Sequence, residues 1–226
     1  MCFSPEADAI VGGIVVVVGV DALRHTTAPR QLALASLPVV FGMHQLSEAF
    51  VWWGLQDQVG HTIERIAIWI YLLLALVALP AFVPLAVGLI EPVASRRRII
   101  GAFWALGLLV ATVLAAAMIR EPIGAAIDGH HIAYSVEAMR SGGGLFTALY
   151  VFATCGALLA CSYRDIAVLG AVNLAAVPLL MWLTSSGFVS LWCFWAAMVS
   201  IVIALHMRRQ TGGSDAPAAP VSTNAD

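Results

Sequence analysis

The chain has 226 residues, of which 61% are hydrophobic and only 11% are charged, whereas about 25% of the residues in an average soluble domain are charged. This composition argues against a soluble globular protein, because too few polar side chains are present to cover its surface. The net charge of −2 argues against a nucleic-acid partner, and because all eleven basic residues are arginine, a retinal Schiff base and a catalytic lysine are excluded.

Charge-free stretches predict helices that cross a membrane. A helix rises about 1.5 Å per residue and a hydrocarbon core is about 30 Å thick, so about 20 apolar residues make one crossing. The charge-free run 166–207 is long enough for two crossings. The sequence predicts an all-α integral membrane bundle, residues 1–209, of seven transmembrane helices over about 7–23, 31–54, 66–90, 99–119, 143–163, 166–184 and 187–207, followed by a disordered cytoplasmic tail, 210–226.

The arginines predict the orientation of this bundle. The connections after the first, third, fifth and seventh helices hold eight arginines, and the other side holds three. The positive-inside rule then places the N-terminus outside and the C-terminus in the cytoplasm. No basic residue precedes the first apolar run, so we expect a retained helix and not a cleaved signal peptide.

Two local signals predict departures from regular helices. Asp128–Gly129 lies between two semi-apolar stretches, 123–127 and 131–136, which favours a β-hairpin over the bundle, since Asp-Gly suits a tight turn. Proline removes a backbone N–H and kinks a helix. Kinks are expected at Pro38, Pro80, Pro84 and Pro178.

Glu48 is the acidic residue that most needs an explanation. An acid inside a membrane helix is costly, and such residues usually face the bundle interior or a cavity. His44 lies four residues before Glu48 and Trp52 four residues after it, so the three share one face of the helix. Glu48 either fixes helix packing through a hydrogen bond or acts as a catalytic acid tuned by His44.

Other residues extend the candidate site. Six of the seven tryptophans fall in the outer half of the predicted bundle, as expected either for interfacial anchors or for an aromatic pocket. The residues predicted to bind a substrate in such a pocket are Trp52, Trp69, Tyr71, Tyr150, Asn173 and Trp192. No cofactor is expected, although a zinc or other transition-metal site is an alternative, with His44, Glu48, His131 and Cys2 as its ligands.

Four segments carry a resemblance to a known family: the opening Met1–Cys2–Phe3–Ser4, the segment 45–48 with Trp52, the loop 129–134 and the late segment 190–194. The chain resembles a bacterial family of seven-helix membrane proteins of unassigned function whose members begin Met-Cys-Phe-Ser. This resemblance implies a multi-pass protein of the bacterial inner membrane and no particular activity. In size and in its single early acid, the chain is also similar to small membrane terpene cyclases, which use a second acid in a late helix that this chain lacks.

Three functions are compatible with these residues. The first is an enzyme in which Glu48 starts the cyclisation or isomerisation of a lipophilic, prenyl-type substrate by protonating it, with aromatic faces stabilising the cation. The second is a metal-binding membrane protein that uses His44, Glu48 and His131. The third is a non-catalytic protein that binds lipid or a larger complex. The bilayer and a lipophilic small molecule are the expected partners, and the sequence identifies no protein partner.

Overall fold

The computed structural model describes the backbone of residues 4–129, 131–183 and 188–214, and the side chains of these residues except 137–142, 180–194 and 212–214. This part of the chain is mostly helical, as predicted, and contains seven helices and one two-stranded sheet. The helices are α1 Pro5–Arg24, α2 Leu32–Leu55, α3 His61–Ile90, α4 Ala94–Arg120, α5 Glu137–Leu159, α6 Arg164–Leu183 and α7 Phe188–Ser214.

Two of the described helices, α3 and α4, are long and apolar enough to cross a membrane. Each predicted span overlaps a helix, but residues 160–163 of the fifth span lie beyond the end of α5, and several helices extend beyond their spans. The last helix continues to Ser214, so residues 210–214 are helical, contrary to the predicted start of the tail. Contacts near its end explain the extension: Arg208 binds the Asp21 carboxylate at 2.9 Å, and the Thr211 hydroxyl donates to the carbonyl of His25 at 2.8 Å.

Helices α1 and α2 pack closely and run antiparallel. Ser4 caps α1 by accepting a hydrogen bond from the N–H of Ala7, and Pro5 occupies the first turn, where its missing N–H carries no penalty. A Cβ at Gly42 of α2 would lie 2.6 Å from a methyl group of Val16. The absence of a side chain at Gly42 therefore allows the two backbones to approach.

Helix α3 contains a widened turn just before Pro80. Residues 61–72 and 79–90 are α-helical, whereas the segment Leu73–Ala78 between them is a π-helix. Proline lacks the N–H that would continue the helical ladder, and a π turn accommodates such a break. The carbonyl oxygen of Pro80 packs against α4, where a Cβ at Gly107 would lie only 1.9 Å from it.

The predicted β-hairpin is present. Strand β1, Ile123–Asp128, pairs antiparallel with β2, His131–Val136, in a register that places Asp128 opposite His131. Gly129 adopts a positive φ of 62°, a conformation that glycine adopts without steric cost. Ile132 and Val136 of β2 are buried against Trp52, Tyr71 and Met118. The hairpin therefore covers one end of the bundle, which we name the hairpin end.

The turns at the opposite end are tied together by polar contacts. Glu91, which follows α3, is 2% exposed. Its carboxylate accepts hydrogen bonds from the backbone N–H and the hydroxyl of Ser162, both at 2.6 Å, and from the N–H of Val93 at 2.9 Å. Burial opposes ionisation of Glu91, but these hydrogen bonds outweigh it and hold the pKa below its usual 4.5. The α3–α4 turn is thereby joined to the α5–α6 turn.

Glu91→Gln is expected to lower the free energy of unfolding at pH 7 by about 1.5–3 kcal/mol, the contribution of hydrogen bonds to a charged group. Because the folded pKa of Glu91 is depressed, its stabilising effect is full above the usual carboxyl pKa and is lost as the pH falls through the folded value. The thermal unfolding midpoints of the wild type and the Glu91→Gln variant, measured between pH 7 and pH 3, should therefore converge as the pH falls. Ser162→Ala should lose a smaller amount at pH 7, and a constant difference at all pH values would contradict the role of charge.

Candidate functional site

Three aromatic rings from three different elements stack at the hairpin end. The ring of His44 on α2 stacks on Tyr71 of α3 with centroids 4.1 Å apart and planes at 25°. Tyr71 in turn stacks on Tyr134 of the hairpin at 4.2 Å and 11°. His44 is 5% exposed and Tyr71 is fully buried. The stack therefore joins the hairpin to the interior of the bundle.

Glu48 lies one turn beyond His44 on α2 and is fully buried. Trp52, a further turn along, is 3% exposed and belongs to the hydrophobic cluster that contains Tyr71. The buried indole N–H of Trp52 has no hydrogen-bond partner among the described residues. The structure thus brings together four predicted site residues, with an imidazole and a carboxyl group on one buried helix face.

A second buried acid, Asp8, lies at the same level of the bundle. Asp8 is fully buried on the stripe of α1 that also buries Gly12. A Cβ at Gly12 would meet Leu46 of α2 at 3.0 Å. Because the two helices are antiparallel, one turn back along α1 places Asp8 level with the turn of α2 that holds Glu48. Two carboxyl groups are therefore enclosed at the hairpin end.

Trp69 lies at the rim of this region. It is half-buried and packs against the cluster that contains Trp52 and Tyr71. It also lines an open groove of about 570 Å³ between α3 and the start of the hairpin, together with the charged side chains of Glu64, Arg65 and Glu121. Trp69 is thus placed between the aromatic cluster and a polar surface.

Tyr150 and Asn173 lie elsewhere. They line a separate, mainly apolar cavity of about 60 Å³ that is also bounded by Leu34 and Leu79. The indole N–H of Trp195 donates a hydrogen bond to the side-chain oxygen of Asn173. The predicted substrate-binding residues therefore fall in two places. This cavity is far smaller than the usual ligand pocket of about 300–1,000 Å³.

The described residues contain no group of three or more His, Cys, Asp or Glu residues that could hold a metal ion. His131 instead faces Asp128 across the hairpin turn at 3.6 Å. Cys2, a predicted metal ligand, lies outside the described residues, so the full ligand set stays a prediction. The side chain of Trp192, a predicted substrate-binding residue, also lies outside them.

Sequence reasoning missed three members of the site: Asp8 and Gln45, which are buried, and Tyr134, which is half-buried. Asp8 lies near the start of the first predicted span, although its spacing from Gly12 and Gly19 follows a helical stripe. Gln45, adjacent to His44, is 2% exposed. Tyr134 belongs to the predicted hairpin, and no local signal shows that it would reach Tyr71.

Comparisons with known proteins identify a family but no activity. A model described as a family of unknown function, DUF6629, matches residues 1–218. This match confirms the resemblance to a family of unassigned function. No curated protein and no solved structure matches the chain. The chain belongs to the DUF6629 family.

Proposed function

We propose that this chain is a multi-pass protein of the bacterial inner membrane, with all seven helices embedded. Large apolar side chains are exposed on the outward faces of helices besides α3 and α4, among them Ile10, Ile14 and Val17 on α1. A soluble monomer rarely exposes such continuous apolar surface, whereas acyl chains would cover it. Eight arginines lie at or near the helix ends opposite the hairpin and three lie toward the hairpin, which favours a hairpin end on the non-cytoplasmic side of the membrane.

The proposed activity is acid catalysis at the hairpin end, with Glu48 as the proton donor to a lipophilic, prenyl-type substrate. The observation that carries this proposal is the ring stack of His44, Tyr71 and Tyr134, which encloses an imidazole and a neighbouring carboxyl group in an aromatic environment. Intramembrane acids face interiors or cavities and are commonly functional. His44, one turn away, would orient the carboxyl group and tune its proton transfer.

The proposed reaction balances without an oxidant or a reductant. Glu48 transfers its proton to a carbon of an alkene, and a carbocation forms on the neighbouring carbon. In a cyclisation, a second alkene of the substrate then attacks this cation. In an isomerisation, this step does not occur. A proton leaves the carbon next to the final cation for the Glu48 carboxylate, and the regenerated carboxyl group exchanges its proton with solvent before the next turnover. The faces of Trp52 and Trp69 would stabilise the cation, by about 2 kcal/mol for each desolvated ring, whereas both faces of Tyr71 are covered by the rings of His44 and Tyr134.

Deuterium incorporation tests this activity even though the substrate is unidentified. The purified protein in detergent is incubated in D₂O with a bacterial lipid extract and with a series of polyprenyl alcohols, and the products are examined by mass spectrometry. Each acid-initiated turnover should add one solvent deuterium to a product carbon. Lipids that gain no carbon-bound deuterium in any reaction would overturn the proposal.

A lateral groove supports a second candidate, a non-catalytic lipid-binding protein. The groove lies between α2 and α3, has a volume of about 250 Å³ and is almost entirely apolar, with Phe50, Ile63 and Ile66 among its lining residues. An acyl chain would fit such a surface. Native mass spectrometry that finds one retained lipid per chain, in wild type and in Glu48→Gln alike, together with no deuterium incorporation, would favour this function over catalysis.

A further inference from the structure

We propose that a basic cleft at the end opposite the hairpin binds a phosphate-bearing anion. The cleft has a volume of about 840 Å³ and lies between the turn before α2, the start of α6 and the last turns of α7. Its lining includes the basic residues Arg30, Arg164, Arg209 and His206 and the acidic residue Asp165. It is remote from Glu48, so this proposal is independent of the proposed catalytic activity.

The three arginines come from three separate elements and have no carboxylate partner among the described residues. Arg30, Arg164 and Arg209 are all exposed. The one carboxylate in the cleft, Asp165, is engaged by the imidazole Nδ1 of His206 at 2.5 Å. With His206 neutral, the cleft carries a net charge of +2, from three arginines and one aspartate. An anion would therefore meet positive charge that the protein does not itself neutralise.

Two arginines outside the cleft have partners within the protein. Arg208 pairs with Asp21 at 2.9 Å, and Arg96 donates to the carbonyl of Cys161 at 3.1 Å. Arginines that only set the membrane topology need to lie on the cytoplasmic side, but they need not come from three elements to line one cavity. This convergence distinguishes the cleft from arginines that act only in setting topology.

The cleft also offers the geometry that phosphate recognition uses. Arginine presents several N–H donors in a planar fork that matches phosphate oxygens. Arg164 is the first residue of the 20-residue helix α6, and a helix N-terminus favours a nearby anion. The hydroxyl groups of Thr27 and Tyr163 also belong to residues that line the cleft. Phosphate is thus the expected ligand chemistry, carried either by a lipid headgroup or by a soluble molecule.

The test compares a cleft variant with a matched control of equal charge. The cleft variant is Arg30→Gln/Arg164→Gln/Arg209→Gln, and the control is Arg24→Gln/Arg97→Gln/Arg98→Gln, three exposed arginines outside the cleft. Each protein is placed in phosphatidylcholine nanodiscs and titrated with inorganic phosphate. In a second arm, nanodiscs contain phosphatidylglycerol, and native mass spectrometry counts the lipid retained after release into detergent.

We expect the wild type and the control to bind the phosphate probe with affinities that agree within about twofold. The affinity of the cleft variant should fall at least about tenfold, because its charge-assisted hydrogen bonds to phosphate are gone. Saturable phosphate binding would identify a soluble ligand, and retained phosphatidylglycerol without it would identify a lipid headgroup. Equal losses in both variants, or no saturable binding in either arm, would overturn the proposal. Arg209→Gln alone, near the exposed end of α7, gives the same comparison if the triple variant does not fold.

Discussion

Glu48→Gln is expected to reduce solvent-deuterium incorporation into lipid products by at least about 100-fold, the lower range for loss of a general acid. Glutamine has nearly the same size and keeps its capacity for hydrogen bonds, but its amide has no acidic proton to transfer. Glutamine should therefore fill the fully buried position of Glu48 as glutamate does in the wild type. Thermal unfolding should show a midpoint close to that of the wild type while product formation is lost.

Glu6→Gln is the matched control for this variant. Glu6 lies near the start of α1, at the same end of the bundle, and is exposed, so the same chemical change there should leave turnover intact. Glu48→Asp keeps the acid but withdraws it by one methylene group, and we expect an intermediate rate. A Glu48→Gln protein that forms deuterated products at the wild-type rate would contradict the assignment of Glu48 as proton donor.

Gly107→Ala is expected to cause the largest loss of stability of any single methyl addition proposed here. The added Cβ would lie 1.9 Å from the carbonyl oxygen of Pro80, and that oxygen belongs to the backbone, so no flexible side chain is able to move away. Overpacking in a core typically costs about 1–3 kcal/mol and occasionally more. For a chain of this size, the thermal unfolding midpoint should shift downward by about 2–12 °C.

Gly101→Ala, on the same helix, is expected not to destabilise the protein. A Cβ at Gly101 meets nothing within 4 Å, and alanine is a better helix former than glycine by about 1 kcal/mol. This variant should unfold at the wild-type temperature or slightly above it. Equal midpoints for the Gly107 and Gly101 variants would show that α3 and α4 are not held in close contact at Pro80.

The helices and the hairpin could be predicted because their signals are local. The charge-free runs mark α3 and α4 directly, and Asp128–Gly129 marks the turn between β1 and β2. Boundaries were less accurate: α3 begins at His61 and not at residue 66. Glu64 and Arg65 interrupt the apolar run, but both are good helix formers, so charge marks the edge of a membrane span without ending the helix.

The candidate site could be predicted most directly where its members share one helix. His44, Glu48 and Trp52 are neighbours by helical periodicity, and the structure buries all three. Asp8 and Tyr134 reach the same end through the α1–α2 register and the packing of the hairpin, neither of which is encoded in a local pattern. The separation of Tyr150 from the site likewise depends on how α5 packs, since Tyr150 lines the separate cavity bounded by Leu34 and Leu79.

The π turn in α3 allows one helix to serve two different neighbourhoods. Before the turn, Tyr71 packs in the hairpin-end cluster, and after it Leu79 and Val83 belong to the cluster around Leu34 and Leu37. Each residue of an α-helix advances about 100° around its axis. A π turn holds about one residue more than an α turn, so the same residues wound as a regular α-helix would rotate one half of α3 against the other by roughly that angle. Either the tyrosine would leave its place between two rings, or the aliphatic half would turn out of its groove.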